Sequence, residues 1–332
     1  MLHLLYVFLF SDLVLCESQA GTEGVSRITT EAFTPKLETG EGRGGAGDVS
    51  SDTEEESPTY QLRNRTIPLR NGQHMILFPS GDLYPEYIAD PRRPSLSIMR
   101  MHFSDTGIYE AGKTRWGLRL GARIGLLRFY WNGDPDDCLQ LDVDAGFVGQ
   151  FDIDHDADNI GWDGIHGLQL SWMPLEGIAL RFGIRHDSSH VGDEYAERTG
   201  RQRIKYTRGE WLLAASWSFF EKWRAYAETG YAYDVRNEDL MEPLRIQYGL
   251  EYVSPHSLWK DSLGWYAASD VSSYEENGWD KNATIQAGLI LPMTDRSRHC
   301  RLGIEYYNGR SHIGEFFLND EKYLSIGFWF DF

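Results

Sequence analysis

The chain has 332 residues, 41% hydrophobic and 14% aromatic, with 34 glycines and a formal net charge of -18. That charge argues against a nucleic-acid partner, which would want a basic stripe. No run of about 18 apolar residues occurs after the N-terminus, which excludes membrane-crossing helices there but leaves crossing strands open.

Residues 1–20, MLHLLYVFLFSDLVLCESQA, read as a signal peptide. Leu4 to Phe10 form a short apolar core, and Ser18-Gln19-Ala20 supply small residues for cleavage. No Lys or Arg precedes the core and Asp12 interrupts the apolar run, which leaves the true start open. Leu15 before Cys16 is too large for lipoprotein processing. Residues 21–74 are expected to be a disordered acidic linker, on a composition of Gly, Ser, Thr and Glu that includes SSDTEEES. Order is expected from Met75-Ile76-Leu77-Phe78. Over 75–94, Pro79, Pro85, Pro91 and Pro94 forbid a regular helix or a central strand, so an irregular lead-in covering a barrel's inner mouth is predicted.

From Ser95 to Phe332 the hydrophobic period is two. Leu244, Ile246, Tyr248, Leu250 and Tyr252 alternate with Arg245, Gln247, Gly249 and Glu251. Leu139, Leu141, Val143, Ala145 and Phe147 alternate with Gln140, Asp142, Asp144 and Gly146. Segments of this kind fall at 95–103, 115–130, 138–153, 164–173, 176–188, 203–218, 221–235, 243–253, 261–272, 281–291, 300–308 and 322–332. About twelve strands, an even number, predict an all-β fold: a transmembrane antiparallel β-barrel over 95–332. Short connections at 173–177 and 219–222 against long ones at 189–202 and 309–321 match the asymmetry of inner turns and outer loops. Trp116, Trp131, Trp162, Trp172, Trp211, Trp223, Trp259 and Trp279 fall near strand ends, where interfacial girdles lie. Cys138 and Cys300, far apart, imply no disulfide framework.

The opposite parity carries Arg119, Arg123, Asp142, Asp144, Arg181, Arg185, Arg224, Glu228, Arg245, Glu251, Asp270 and Glu305. Both signs are present. A lumen plugged by ion pairs is the expectation, with a selective small-solute pore as the alternative, and no ring of one sign points to an ion.

The fifth segment continues Ile184-Arg185-His186-Asp187-Ser188-Ser189-His190-Val191-Gly192-Asp193-Glu194-Tyr195. His186 and Ser188 share the parity of Leu180, Phe182 and Ile184, the expected lipid face. Residues two apart on a strand project side by side, about 6–7 Å between Cα atoms, so an imidazole can serve as base to a serine hydroxyl. The candidate catalytic set is His186, Ser188 and Glu194, with Asp193 and Glu197 as other third partners. The plain structural reading is the start of an outer loop, with Gly192-Asp193 as a turn signal. His190 and Asp193 form a candidate loop site, and with His186 and Glu194 an alternative metal cluster. In FDIDHDADNIGWDG, the carboxylates of Asp152, Asp154, Asp156 and Asp158 are hard oxygen ligands suited to loose Ca²⁺ binding, although the spacing is out of register for a calcium loop. No other cofactor is expected.

The last stretch, YLSIGFWFDF, alternates from Leu324 through Ile326, Phe328 and Phe330 to Phe332. It resembles the C-terminal signature of outer-membrane barrel proteins, in which this strand is read by the insertion machinery. The resemblance implies the outer membrane of a Gram-negative bacterium as location, with that machinery and outer-membrane lipid as partners. His186-x-Ser188 resembles the His-x-Ser of outer membrane phospholipase A and lipid A 3-O-deacylase, which implies an outer-leaflet acyl hydrolase. This chain departs from both in having Ser189 where an Asn commonly follows. Phe78-Pro79, Pro85, Ala89-Asp90-Pro91 and Pro94, followed by Ser188-Ser189-His190-x-Gly192-Asp193-Glu194-Tyr195, resemble a family of uncharacterised Gram-negative envelope proteins over 75–332. That resemblance implies an envelope barrel and no activity, and it moves attention to His190 and Glu194.

Overall fold

The computed structural model describes residues 65–69, 72–131, 138–236, 239–254, 258, 263–292 and 299–331. The expected signal peptide, the expected linker up to 64, Trp259 and Phe332 lie outside the described residues. The strands are β1 (Arg65–Pro68), β2 (His74–Leu77), β3 (Leu96–Asp105), β4 (Thr114–Tyr130), β5 (Cys138–Asp152), β6 (Asp158–Leu175), β7 (Ile178–Val191), β8 (Thr207–Phe219), β9 (Trp223–Val235), β10 (Leu244–Val253), β11 (Gly264–Tyr274), β12 (Lys281–Pro292), β13 (His299–Arg310) and β14 (Asp320–Asp331). One short helix, α1 (Asp193–Thr199), follows β7.

Strands β3 to β14 form a closed antiparallel barrel of twelve strands. Each overlaps one of the twelve expected segments. The last strand answers why the chain alternates so regularly there. Ile326 pairs with Ile304 of β13 on one edge and with Arg100 of β3 on the other, so both edges of β14 are satisfied and the ring is shut. Two boundaries differ from expectation. Among the described residues regular structure is already present at Arg65, ahead of the expected Met75, because β1 and β2 make a hairpin that extends β4 (His74 opposite Tyr130). Strand β6 starts at Asp158 and not at 164, since the acidic stretch pairs with β5 (Asp152 opposite Asp158).

One end of the barrel carries the tight turns Glu176-Gly177 and Phe220-Glu221-Lys222, and is called here the turn end. The other, the loop end, carries α1 and the connections 192–206 and 311–319. The sorting by length is incomplete, because the turn end also carries the connection between Val253 and Gly264.

The barrel is apolar outside and polar inside. Leu244, Ile246, Tyr248 and Leu250 are exposed while Arg245, Gln247 and Glu251 are buried. This inverts the distribution of a water-soluble domain and suits an apolar surrounding. Outward tryptophans mark both ends, Trp116, Trp162 and Trp211 towards the loop end, Trp172, Trp217 and Trp223 towards the turn end. Inside, charges are paired across strands: Arg245 with Glu210 (2.8 Å) and Glu228 (2.6 Å), Arg224 with Glu251 (3.0 Å), Arg301 with Asp331 (2.6 Å), and Arg181 with Glu228. The low dielectric makes an unpaired charge there costly, which explains the near-balance of signs.

The lead-in does not merely cover the mouth. It folds into the lumen and returns to the turn end, where Arg93 meets Asp331 and Leu96 opens β3. At the turn end Arg128 donates to the Gly81 carbonyl (2.7 Å). Midway, the Tyr87 ring stacks on Tyr226 (centroids 3.7 Å apart) and its hydroxyl donates to Glu228 (2.9 Å). The Ile88 amide donates to Glu251 (2.6 Å). Arg92 then reaches Asp163 (3.0 Å) and Asp187 (2.9 Å). Tyr84, Tyr87 and Ala89 are at most 1% exposed. The physical reason is the same proline content that ruled out a strand. A segment unable to pair with a sheet edge satisfies its tyrosines and arginines on the charges of the lumen.

Candidate functional site at the loop end

Strand β7 sorts the expected site residues by parity. Asp187, Ser189 and Val191 point inward and are buried; His186, Ser188 and His190 lie on the outward row with Phe182. Outward, Ser188 stands between Gly164 of β6 and Thr207 of β8, and His186 between His166 and Gly209.

The structure brings Ser188 to His190, with Oγ 3.4 Å from Nε2. The His186 ring instead faces His166, centroids 5.0 Å apart. His190 stacks on Trp162 (4.2 Å) and its Nδ1 lies 2.8 Å from Nη2 of Arg203. A guanidinium can only donate, so Nδ1 must accept and the proton sits on Nε2. In that tautomer His190 donates to Ser188 and cannot take its proton. Glu194 and Asp193 are exposed in the first turn of α1, and among the described contacts neither joins His186, Ser188 or His190. Glu197 is exposed on the same helix.

The inward residues of the same stretch form a latch. Asp187 accepts from Arg92 and from Arg185 Nε (2.9 Å). The Ser189 hydroxyl donates to Asp163 and accepts the Glu315 amide (2.8 Å), while the Gly314 amide donates to Asp163 (3.1 Å). Glu315 in turn accepts the Ile204 amide (2.7 Å) and the Tyr206 amide (3.2 Å). Gly192 passes so close to β6 that a Cβ would lie 1.6 Å from the Asn159 carbonyl oxygen, so no other residue fits. Above the latch, Ile108, Val148, Ile160, Ile165, Val191, Tyr195, Ile313 and Phe316 pack into one cluster that closes the loop end. The buried His312 sits beside it, its Nε2 3.3 Å from Gln150 Nε2. Burial, with Arg119, Arg92 and Arg115 nearby, holds that imidazole well below its ordinary range.

The latch partners Arg92, Asp163, Arg203 and Glu315 were not among the expected site residues. Arg92 lies in a proline-rich run without period and Glu315 in a loop, so periodicity carried no signal for either. Asp163 had the inward parity once β6 is extended back to Asp158.

The acidic residues are committed to the protein's own donors. Asp152 accepts the Gly112 amide (2.7 Å), Asp154 accepts the Thr114 amide (3.0 Å), and Asp158 accepts Arg198 Nε (2.9 Å). The amide of Thr114 holds the Asp154 carboxyl below the usual range. Asp156 caps the 153–155 turn in the left-handed region. Among the described residues no group of three or more His, Cys, Asp or Glu is placed to hold a metal ion.

At the turn end the threaded segment leaves a cavity of about 530 Å³, lined by Asp82, Glu86, Arg93, Arg123, Arg224 and Glu251 among others. Burial pushes the Asp82 carboxyl up to about 6.

The fold and its latched interior define a closed β-barrel that is apolar outside and plugged by its own chain. Residues 49–332 match the family described as "Protein of unknown function (DUF1207)", and the chain belongs to that family. No curated protein matches it. Among solved structures it is similar in fold to outer membrane phospholipase A from Escherichia coli, at 14% identity over 71% of this chain and 92% of that one, with a TM-score of 0.48. The Salmonella typhi outer membrane phospholipase dimer with bound calcium is similar at 16% identity, 75% and 95% coverage, and a TM-score of 0.45. LpxR from Salmonella typhimurium is similar at 11% identity, 72% and 100% coverage, and a TM-score of 0.35.

Proposed function

We propose that the chain is an integral outer-membrane barrel of a Gram-negative bacterium whose role is structural or binding, with its lumen held shut by residues 78–95. The observation that carries this reading is the path of that segment, from Gly81 at the turn end to Arg92 on Asp163 and Asp187 beneath the loop-end cluster. A narrow pore, the other expectation from the lumen charges, would have to pass this segment. The exposed apolar belt between two sets of tryptophans supports membrane residence. The test has two parts. The protein should fractionate with the outer membrane as a band of heat-modifiable mobility, and refolded protein should leave planar bilayers silent. A steady conductance of folded protein would contradict the closed lumen.

An outer-leaflet acyl hydrolase of the phospholipase A or lipid A deacylase type is a second reading, favoured by the 3.4 Å approach of Ser188 to His190 on the outward face. Arg203 holds the imidazole in the wrong tautomer for a general base, so this activity requires Arg203 to leave His190. Incubation with phospholipid and with lipopolysaccharide, with and without Ca²⁺, followed by mass spectrometry of released fatty acids, decides the matter. Release that disappears in Ser188→Ala would establish the hydrolase.

A further inference from the structure

On the outward side of the loop end lies a cavity of about 300 Å³, lined by Ser188, His190, Arg203, Lys205, Thr207 and Arg236 among others. No Asp or Glu is among its described lining residues, in a chain with 50 acidic and 32 basic residues. We propose that this cavity binds a phosphate group, that of an anionic lipid in the surrounding leaflet. The proposal rests on the membrane reading above and is independent of any hydrolysis.

The fold itself gathers the cations. Arg203 is tied through Nη2 to His190 Nδ1 (2.8 Å) and to the Ser189 carbonyl (3.4 Å), and its Nε lies 4.0 Å from Glu315 Oε1, which leaves the Nη1 arm of the guanidinium for a ligand. Lys205 sits in the left-handed region, φ 56°, in the turn leading into β8. The Arg236 amide donates to the Thr207 carbonyl (3.2 Å), which brings the end of β9 to the same rim. Arg203, Lys205 and Arg236 are all exposed. The hydroxyls of Ser188 and Thr207 add neutral donors. A phosphate offers several acceptor oxygens to such a set, and charge-assisted hydrogen bonds are the strong ones.

What lies below the cavity selects a lipid over a soluble anion. The outward row continues through His186, which faces His166, and Ile184 to Phe182, whose ring stacks on Trp211 (5.7 Å), which in turn meets Tyr233 (5.6 Å). A basic notch above an apolar and aromatic strip, with the two imidazoles between them, matches a phosphate head with acyl chains running down the barrel wall.

The experiment uses the full chain in a neutral detergent and native mass spectrometry with dioleoyl phosphatidylglycerol. Phosphatidylcholine, which carries a phosphate without net charge, is the control. The wild type should retain phosphatidylglycerol in preference to phosphatidylcholine. Lys205→Ala with Arg236→Ala should bind it roughly thirtyfold more weakly; Lys205→Gln with Arg236→Gln serves if the alanine pair fails to fold. Excess inorganic phosphate distinguishes the sources. Displacement of the lipid would assign recognition to phosphate alone, and persistence would assign it to the whole lipid. Equal retention of the two lipids, or equal retention by folded variants, would overturn the site. Selective binding by a protein that does not fractionate with the outer membrane would leave the site standing and remove the membrane reading instead.

Discussion

Alternate residues of one strand end live in opposite conditions. Asp187 and Ser189 point inward, are at most 3% exposed, and have their partners supplied by the threaded segment and the 311–319 connection. His186, Ser188 and His190 point outward, and Ser188 and His190 line a cavity with Arg203, Lys205 and Arg236. The stretch that joins them, His186 to His190, therefore serves two purposes at once. Its inward half latches the barrel shut, and its outward half meets whatever surrounds the barrel. Strand parity divides this stretch into a structural element and a surface, and leaves both members of the His186-x-Ser188 pair on the surface.

The split is testable because the two halves should respond differently. The largest effect is expected from Arg92→Ala, which leaves Asp163 and Asp187 buried without their shared cation. Removing one partner of a buried pair costs about 3–5 kcal/mol, readable as a shift in the denaturant midpoint in detergent micelles. Ser189→Ala removes the hydroxyl between Asp163 and the Glu315 amide, and should cost about 1–3 kcal/mol by leaving a buried donor unmet. An unchanged midpoint in both variants would mean that the inward half is not a latch.

Acid should loosen the cluster through His312. Its folded-state pKa is depressed, so the unfolded chain binds the extra proton. The stabilisation is therefore complete at neutral and higher pH and falls as the pH drops below about 6.5, by up to about 1.4 kcal/mol per unit. His312→Gln should flatten that part of the stability profile. A slope identical to wild type between neutral and mildly acidic pH would remove His312 from the account. The smallest effect belongs to the outward half. Ser188→Ala should change stability by no more than about 0.5 kcal/mol, and a larger loss would place Ser188 in the latch.

Much of the architecture was legible because a barrel wall is written in a period of two. The alternation along 243–253 and 138–153 carried both strand and face, and the inward charges read from it, such as Arg245, Glu228 and Glu251, are buried in the lumen. The outward parity of His186 and Ser188 was legible for the same reason. What the period could not carry was the path of a segment with no period. Met75, Ile76 and Leu77 belong to β2, and beyond them the prolines of 78–94 mark irregular chain, yet its route in the lumen depends on single long-range contacts such as Ile88 to Glu251 and Arg92 to Asp187. The preference of Ser188 for His190 over His186 was hidden similarly. It is set by Arg203, thirteen positions further on, beyond a helix that the turn signal at Gly192-Asp193 did not predict.

The most direct measurement of the threaded lumen is maleimide labelling at position 89. Ala89 is fully buried within the segment, and cysteine is close enough in size to replace it. With Cys16, Cys138 and Cys300 changed to serine, Ala89→Cys should resist a soluble maleimide in the folded barrel and react fully after heat denaturation, while Lys222→Cys at the turn end should react in both states. Rapid labelling of position 89 in the folded, heat-modifiable form would contradict the account.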